Sequence, residues 1–395
     1  MQALSFLRET RQVSQGKALQ AQSVISSRIT VQPAPLLSVI VPTFKERDNV
    51  AELVRRLHLA LVGVAWEVIF VDDDSPDGTA DAVRALALTD ARVRCVQRIG
   101  RRGLSSACVE GMLASSAPYL CVMDGDLQHD ETILPDMLGR LTGQDLDIVV
   151  GSRYVAGGAI GDWTARRAWI SRLATRISHL VVPPALHDPM SGFFMLTRPA
   201  FTASVRSLSS TGFKILVDLF ASSPTPLRFA EVPYTFRNRN AGESKLDNRV
   251  AWDYGMLLAD KLVGHLIPVR FLSFALIGGV GVGVHFLCLS LLMALGRTDF
   301  ATAHTMATGL AMLFNFTLNN LLTYRDRRLS GLGWFVGLFW FVLACSIGAL
   351  ANVGIAIYLF KLDGGWPLAA LAGIAVGSVW NYVATSALTW KKRSA

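Results

Sequence analysis

Charged side chains are scarce in the C-terminal third of this 395-residue sequence. Only 17% of all residues are Asp, Glu, Lys or Arg, whereas a typical globular domain has about 25%. Between Ile267 and Trp390 only nine of 124 residues are charged. This uneven distribution excludes an ordinary soluble single domain, an intrinsically disordered chain and a fibrous protein. It indicates a soluble domain followed by a membrane domain.

Cysteine is also scarce, and the five cysteines are scattered along the chain without a Cys-x-x-Cys pair. Their odd number and irregular spacing argue against a disulfide framework or a zinc site, and they suit a reducing compartment. Residues 1–34 are polar and lack the apolar run of a signal peptide. We expect them to form a flexible leader.

The net charge of +8 is concentrated in the same C-terminal part. Residues 267–395 contain nine basic and three acidic side chains, which leaves only +2 for the first 266 residues. No basic stripe interleaved with aromatic residues occurs in the soluble part. The pI of about 9.4 therefore reflects membrane topology, and we expect no nucleic-acid partner.

Four uncharged segments follow one another, at about residues 271–295, 300–324, 332–360 and 366–390. Each has at least 25 residues, and about 20 apolar residues suffice to cross a bilayer as a helix. The alternative, a buried helical core of a soluble protein, is not favoured by four such runs with short polar joints. We therefore expect an all-α four-helix transmembrane domain over residues 267–395.

Basic residues predict how these segments are oriented. They lie before the first segment, between the second and third, and after the fourth, whereas each remaining joint has one basic and one acidic residue. Because basic loops stay on the cytoplasmic side, we expect a multi-pass membrane protein with its soluble domain in the cytoplasm. Residues 247–266 mix apolar and charged side chains and predict amphipathic interfacial helices, although a surface helix of the soluble domain fits nearly as well.

Strand and helix patterns alternate in the soluble part. Short apolar runs, such as residues 36–42 and 66–71, are separated by helical stretches. Near-continuous apolar strands are typical of a parallel sheet covered by helices on both faces. The predicted fold class is therefore α/β, in which ligands bind beyond the carboxyl ends of the strands.

Acidic residues follow two of the predicted strands. Residues 72–74 are all Asp, and after a later strand Asp124 and Asp126 flank a glycine. Carboxylate oxygens suit Mg²⁺ or Mn²⁺, which would neutralise a leaving diphosphate. An Asp-Gly-Asp sequence alone is also common in turns. The second acidic strand end and the nearby Gln128 favour a metal-binding crevice.

Basic side chains recur further along the chain. Arg153 ends a strand, Arg167 lies four residues before Ser171 on a predicted helix, and Arg239 and Lys245 flank a Gly-Glu-Ser sequence. Basic groups around an acidic metal site suit two phosphate-bearing ligands, one held by the metal and one by arginine. Each arginine alone also fits an ordinary solvated surface position, so both interpretations stay open on residue chemistry.

Seven ordered motifs between residues 36 and 250 resemble those of the dolichol-phosphate (polyprenol-phosphate) mannosyltransferases, which are inverting GT-A glycosyltransferases of family two. The motifs are Val41-Pro42-Thr43-Phe44-Lys45-Glu46, Val71-Asp72-Asp73-Asp74-Ser75-Pro76-Asp77-Gly78-Thr79, Met123-Asp124-Gly125-Asp126-Leu127-Gln128-His129, Gly151-Ser152-Arg153-Tyr154, Asp188-Pro189-Met190-Ser191-Gly192-Phe193-Phe194, Gly212-Phe213-Lys214-Ile215-Leu216 and Gly242-Glu243-Ser244-Lys245-Leu246. The membrane part resembles, more loosely, the GtrA-like domain fused to some of these enzymes. The resemblance implies a GT-A (nucleotide-diphospho-sugar transferase, Rossmann-like) domain over residues 35–246.

The resemblance also implies roles for individual residues. Those expected at the nucleotide base and ribose are Pro42, Phe44, Glu46, Val71 and Asp73. Those expected at the metal and donor diphosphate are Asp124, Asp126 and Gln128, with Arg239 and Lys245 closing over the donor. Those expected at the acceptor phosphate are Arg153, Arg167 and Ser171. The catalytic residues would be Asp126, Arg153 and Arg167.

Two positions depart from the family pattern. The family usually has Asn before the glutamate of the first motif, where this chain has Lys45. A basic, glycine-rich Lys-Leu-Gly-Leu-Gly stretch of the family is replaced here by residues 101–106, Arg-Arg-Gly-Leu-Ser-Ser. The loop contacts at that stretch are therefore expected to differ.

The resemblance implies a metal-dependent enzyme that moves mannose from GDP-mannose to dolichyl or polyprenyl phosphate. Its partners would be the two substrates and membrane lipid, and its cofactor Mg²⁺ or Mn²⁺. An alternative is transfer of glucose or another sugar from a UDP donor. A different alternative is a flippase for lipid-linked sugar with a regulatory soluble domain, which the intact acidic motifs do not favour.

Overall fold

The computed structural model describes residues 34–161, 165–209, 214–237, 248–264, 266–295, 299–361 and 366–391. The chain divides into two compact units. The second takes residues 176–184, 207–222 and the chain from 243 onward, and the first takes the remainder. The apolar strands predicted from the sequence lie in the first unit.

Seven strands of the described chain form one sheet, in the order β3-β2-β1-β4-β6-β5-β7. They are β1 (Leu37–Thr43), β2 (Trp66–Asp72), β3 (Val93–Gln97), β4 (Tyr119–Val122), β5 (Ile148–Ser152), β6 (Phe194–Thr197) and β7 (Phe229–Pro233). Every residue of β1 and β2 is buried, as the continuous apolar runs predicted. Of these seven strands only β6 is antiparallel to its neighbours, and no local pattern in the sequence indicated this reversal.

The helices of this part connect the strands. They are α1 (Arg47–Ala60), α2 (Thr79–Ala87), α3 (Leu104–Ala114), α4 (Leu134–Gly143), α5 (Ala165–Ser178) and α6 (Arg198–Ser204). Parallel strands joined by helices agree with the predicted α/β class. The helix α3 lies so close to the sheet that Gly111 faces Ile40 and Val71 directly: a Cβ on Gly111 would lie 2.5 Å from Cγ2 of Ile40 and 2.8 Å from Cγ2 of Val71.

Gly111→Ala is therefore expected to lower the stability of the folded protein by about 1–3 kcal/mol, the usual cost of overpacking a core. The measurement is the melting temperature of the purified protein in detergent. Gly139→Ala is the matched control, because Gly139 is an exposed position of α4 and a Cβ added there would meet no atom within 4 Å. The control should gain up to about 1 kcal/mol from helix propensity. Equal melting temperatures for the two variants would contradict the close packing of α3.

Six α-helices lie entirely within the second unit among the described residues. They are α7 (Ile215–Ser222), α8 (Asn248–Val263), α9 (Val269–Ala294), α10 (Phe300–Leu318), α11 (Leu332–Lys361) and α12 (Trp366–Leu388). The last four overlap the four predicted uncharged segments. Two stretches, Val269–Ala294 and Leu332–Asn352, are long and apolar enough to cross a membrane by themselves.

The second predicted segment ends differently from the expectation. Its α-helix stops at Leu318 and continues as one π-helical turn, Asn319–Thr323. In that turn Oδ1 of Asn320 accepts hydrogen bonds from the backbone N–H of Leu329 (2.8 Å) and from Nε1 of Trp390 (3.1 Å). The buried amide thus links α10 to the following loop and to the end of the chain, which satisfies polar groups that hydrocarbon would leave unpaired.

The helix α8 occupies the predicted interfacial segment and buries one face within its own unit. Leu257 and Leu258 are buried, and Nζ of Lys261 lies 2.7 Å from Oδ1 of Asp218 in α7. Near the other end of α8, Asp253 accepts hydrogen bonds of 2.6 Å from Arg325. The helix is therefore held by protein contacts on this face, and contact of its other face with lipid stays a prediction.

Candidate active site

The acidic residues lie at one edge of the sheet. The strands β2, β1 and β4 are adjacent and parallel, so their carboxyl ends meet at the same edge. The turn after β4 lies against the end of β1: a Cβ on Gly125 would be 3.2 Å from Cγ2 of Thr43 and 3.3 Å from Cγ1 of Val41. Glycine at this position therefore allows the two neighbouring carboxylates to approach the strand edge where ligands bind in α/β folds.

The predicted metal ligands are held by their own turn. Asp126 is buried and accepts a hydrogen bond of 3.2 Å from the backbone N–H of Gln128. The side-chain amide of Gln128 donates to the carbonyl of Arg237 over 3.0 Å, which leaves its Oε1 as the atom suited to a metal. Asp124 is more open, with 37% of its side chain exposed.

A buried aromatic cluster of His129, Phe193 and Tyr234 packs against this turn. His129 stacks on Phe193 with 5.1 Å between ring centroids, and its Nδ1 accepts a hydrogen bond from the backbone N–H of Asp124. Burial lowers the pKa of His129 to about 4, so its ring is neutral near pH 7. It acts as an acceptor that shapes the turn, a role which its position next to Gln128 in the sequence did not reveal.

The carboxylates of this turn suit a divalent cation whose coordination is completed by oxygen atoms of the substrate. Across the described ranges of the chain, no three His, Cys, Asp or Glu side chains lie close enough to hold a metal by themselves. Asp124 and Asp126 supply two carboxylates. This is the donor set that Mg²⁺ commonly takes from a protein when phosphate oxygens and water complete its coordination.

The predicted nucleotide residues divide into exposed and buried positions. Phe44 and Glu46 are half-buried beyond the end of β1, and the guanidinium of Arg102 lies 4.3 Å from the centroid of the Phe44 ring. Pro42 and Val71 are paired in register and buried. Their side chains therefore form the sheet beneath the edge and are not open to a ligand.

Asp73 has partners that the sequence did not indicate. Its Oδ1 accepts a hydrogen bond of 2.5 Å from Arg98, and its Oδ2 accepts one of 2.7 Å from the backbone N–H of Gly103. Both partners belong to the loop after β3. The carboxylate therefore holds that loop against the end of β2.

Lys45, the departure from the family pattern, has a left-handed backbone with φ of 62°. Asn is several-fold enriched in this region among residues other than glycine. Lys45 therefore has a backbone conformation that Asn, the residue expected here from the resemblance, also favours. Its backbone N–H donates to Oγ of Ser75 over 3.0 Å.

The predicted acceptor residues are only partly described. Nε and Nη2 of Arg153 donate to the two oxygens of Asp188 over 2.7 and 2.8 Å, and Asp188 is fully buried. Burial opposes the charge on Arg153, but Asp188 outweighs it and raises the pKa of Arg153. Oγ of Ser171 lies 2.9 Å from the hydroxyl of Tyr154, so α5 and the end of β5 are in contact. The side chain of Arg167 lies outside the described residues.

The donor-closing residues Arg239 and Lys245 also lie outside the described residues. Sequence reasoning missed two charged groups that structure this site, Arg98 and Asp188, which hold the predicted residues Asp73 and Arg153. Arg237 belongs to the same basic region of the sequence as Arg239, and it bridges Asp130 and Glu131 at 2.8 and 2.7 Å. Asp188 begins one of the seven motifs, which was the available signal, whereas nothing local pointed to Arg98 as the partner of Asp73.

Two family models match this chain. Glycosyl transferase family 2 matches residues 38–203, and the GtrA/DPMS transmembrane domain matches residues 273–390. The second match and the two long apolar helices identify a membrane protein.

Named relatives match with substantial identity. The dolichol-phosphate mannosyltransferase of Pyrococcus furiosus is 33% identical over 356 residues, which cover 90% of this chain and 99% of that protein. The enzyme of the same name from Saccharomyces cerevisiae is 38% identical over 226 residues, covering 55% of this chain and 83% of that protein. A solved structure, Mycobacterium tuberculosis glucosyl-3-phosphoglycerate synthase in complex with Mn²⁺ and UDP-glucose, has 18% identity and a TM-score of 0.46, and covers 57% of this chain and 79% of that one.

The match to the Pyrococcus furiosus protein runs through both the catalytic and the membrane part. It confirms the resemblance carried by the seven motifs, the GT-A fold class and the helical GtrA-like domain. The chain therefore belongs to the dolichol-phosphate mannosyltransferases, glycosyltransferases of family 2.

Proposed function

We propose that this chain transfers mannose from GDP-mannose to dolichyl or polyprenyl phosphate, with inversion at the anomeric carbon and release of GDP. The observation that carries the proposal is the Asp124–Asp126 turn, held against β1 at the carboxyl edge of the sheet. Its two carboxylates suit a metal-bound diphosphate. The names of the relatives supply the sugar and the acceptor class.

The reaction is a single in-line displacement. The acceptor phosphate is already an anion near pH 7, so no strong general base is needed. The protein's contribution is orientation of the two substrates. A Mg²⁺ or Mn²⁺ ion held by Asp124, Asp126 and Gln128 would neutralise charge on the departing diphosphate when bound.

The acceptor phosphate is proposed to bind near the end of β5 and α5, at Arg153, Arg167 and Ser171. The contact between Ser171 and Tyr154 supports this, because it brings α5 to the strand end that carries Arg153. The same helix exposes Trp169, Ile170 and Leu173 beside Arg172. Such a basic amphipathic surface suits anionic lipid, where a lipid acceptor is found.

Arg167→Lys distinguishes a phosphate contact from a lipid contact. A guanidinium binds phosphate through two hydrogen bonds and a lysine cannot, so we expect transfer to fall roughly tenfold or more with donor binding unchanged. Arg172→Lys on the same helix is the control and should be nearly silent. The measurement is the initial rate at saturating acceptor, and equal rates for both variants would remove Arg167 from the site.

The membrane arrangement is proposed from the charge pattern. Four crossings, with the catalytic domain on the cytoplasmic face, agree with the basic residues beside the helix ends. The proposed boundaries are the predicted ones: a leader over residues 1–34, the catalytic domain over 35–246, interfacial helices over 247–266 and the membrane domain beyond.

A donor screen tests the proposed activity. Purified full-length protein is incubated with polyprenyl phosphate and labelled GDP-mannose, UDP-glucose or UDP-mannose, and lipid-extractable product is counted. Product from GDP-mannose alone is the expected result. Product from a UDP donor would support the alternative transferase, and no product from any donor, with lipid-linked sugar moved across vesicles, would support the flippase.

A further inference from the structure

Arg98 is a buried charge at the edge of the proposed donor site. Only 3% of its surface is exposed, and it directly follows β3. Burying a guanidinium is costly unless charge and hydrogen bonds compensate. Asp73 at 2.5 Å and Glu110 at 3.3 Å supply the opposite charge. Both Nη atoms are hydrogen-bonded, whereas Nε has no hydrogen-bond partner among the described residues.

The same guanidinium joins three segments of the chain. Nη1 donates to Oδ1 of Asp73 at the end of β2 and to the carbonyl of Gly103 over 3.1 Å. Nη2 donates to Oγ of Ser106 in the first turn of α3 over 2.6 Å. Gly103 in turn donates its backbone N–H to Asp73. The 98–103 loop is therefore fixed to the carboxyl end of β2 by a closed set of hydrogen bonds.

The loop carries Arg102 onto the ring of Phe44. The guanidinium carbon of Arg102 lies 4.3 Å from the ring centroid, although Arg102 itself is exposed. Nucleobases stack on aromatic rings and on the planes of arginine guanidinium groups. Arg102 and Phe44 together thus present stacking surface beyond the end of β1.

We propose that Arg98 is a positioning residue for the donor nucleotide, which holds the 98–103 loop so that Arg102 and Phe44 form one side of the base-binding surface. The inference rests on the proposed function, because it takes the nucleotide to bind at the carboxyl edge of β1 and β2. In this arrangement Asp73 anchors the same loop through Arg98 and the backbone N–H of Gly103.

The test is the affinity of the full-length protein for GDP and for UDP in detergent, measured by calorimetry. Base stacking on such surfaces typically contributes a factor of about ten in affinity, so Arg102→Ala and Arg98→Gln should each weaken nucleotide binding about tenfold. The double variant should be no weaker than either single one, because both changes remove the same contact. The KM for the polyprenyl phosphate should stay unchanged in all three.

Two controls separate positioning from general stability. Arg101→Ala removes an exposed side chain next to Arg102 that pairs with Glu110. Arg94→Gln removes a half-exposed arginine of β3 that pairs with Glu67 of β2. Both should bind nucleotide as the wild type does. If Arg98→Gln does not fold, the nucleotide affinity of Arg102→Ala is the deciding measurement. Arg102 is exposed, so its substitution is expected to leave the fold intact.

Wild-type affinity in Arg102→Ala, or additive losses in the double variant, would overturn the inference. Failure of the proposed donor has a different signature. If the wild type binds UDP and not GDP, and the variants weaken UDP binding in the same pattern, the positioning role holds and the proposed base is wrong.

Discussion

Asp126→Ala is expected to reduce mannosyl transfer at least a thousandfold. Asp126 is one of the two carboxylates in the turn after β4 that we propose as metal ligands, and it is buried. A metal ion that neutralises a departing diphosphate lowers the free energy of activation by several kcal/mol. About 4 kcal/mol corresponds to a thousandfold change in rate. Removal of the metal with EDTA should have an equal effect.

The measurement is the rate of labelled mannose transfer to polyprenyl phosphate, with and without EDTA and added Mg²⁺ or Mn²⁺. Asp136→Ala is the matched control, because Asp136 lies on α4, is 53% exposed and pairs with Arg140 one helical turn further along. It should keep wild-type activity. Full transfer in metal-free buffer would contradict the metal assignment, and activity in Asp126→Ala that metal still stimulates would move the site away from Asp126.

Asp188→Asn is expected to destabilise the folded protein by about 3–5 kcal/mol, the usual result of leaving one member of a buried ion pair without its partner. Asp188 is fully buried and Arg153 nearly so. The asparagine retains an acceptor for the backbone N–H of Arg153, which Asp188 now accepts over 3.0 Å. The loss therefore reports the charge pairing and not the backbone contact. Melting temperature in detergent measures it.

The control pair has similar geometry at the surface. Asp147 accepts two hydrogen bonds from Arg228, at 3.0 and 2.9 Å, but Arg228 is 50% exposed. Asp147→Asn should cost no more than about 1 kcal/mol, since solvent screens exposed pairs. Arg153→Met combined with Asp188→Asn should recover part of the stability lost in Asp188→Asn. Equal losses at Asp188 and Asp147 would show that burial does not strengthen the Arg153 pair.

The pairs Asp73–Arg98 and Arg153–Asp188 show that a charged residue of a motif can have a structural partner within the protein. Asp73 and Arg153 were predicted to contact ligand from their place in the motifs, and the structure gives each a buried partner of opposite charge. Direct contact of Asp73 and Arg153 with ligand stays a prediction. The side chains that the structure leaves more open at the edge are Asp124, Phe44 and Arg102.

The sequence by itself determined the α/β alternation, the acidic strand ends and the apolar helices of the second unit. These follow from local patterns, because burial on both faces demands continuous apolar strands and a bilayer demands about 20 apolar residues per crossing. The sequence also places Asp73 and Asp124 at the same edge of the sheet, because both follow parallel strands whose carboxyl ends share that edge.

Only the tertiary structure decided which groups are paired. Arg98 lies 25 residues from Asp73, and Arg153 lies 35 residues from Asp188, so their contact depends on the order and direction of strands. The antiparallel β6 is the clearest case: it is inserted between β4 and β5, and the residues just before it carry Asp188 to the end of β5. Hydrophobic periodicity records which face of an element is buried, and it contains no information on the partner across the sheet.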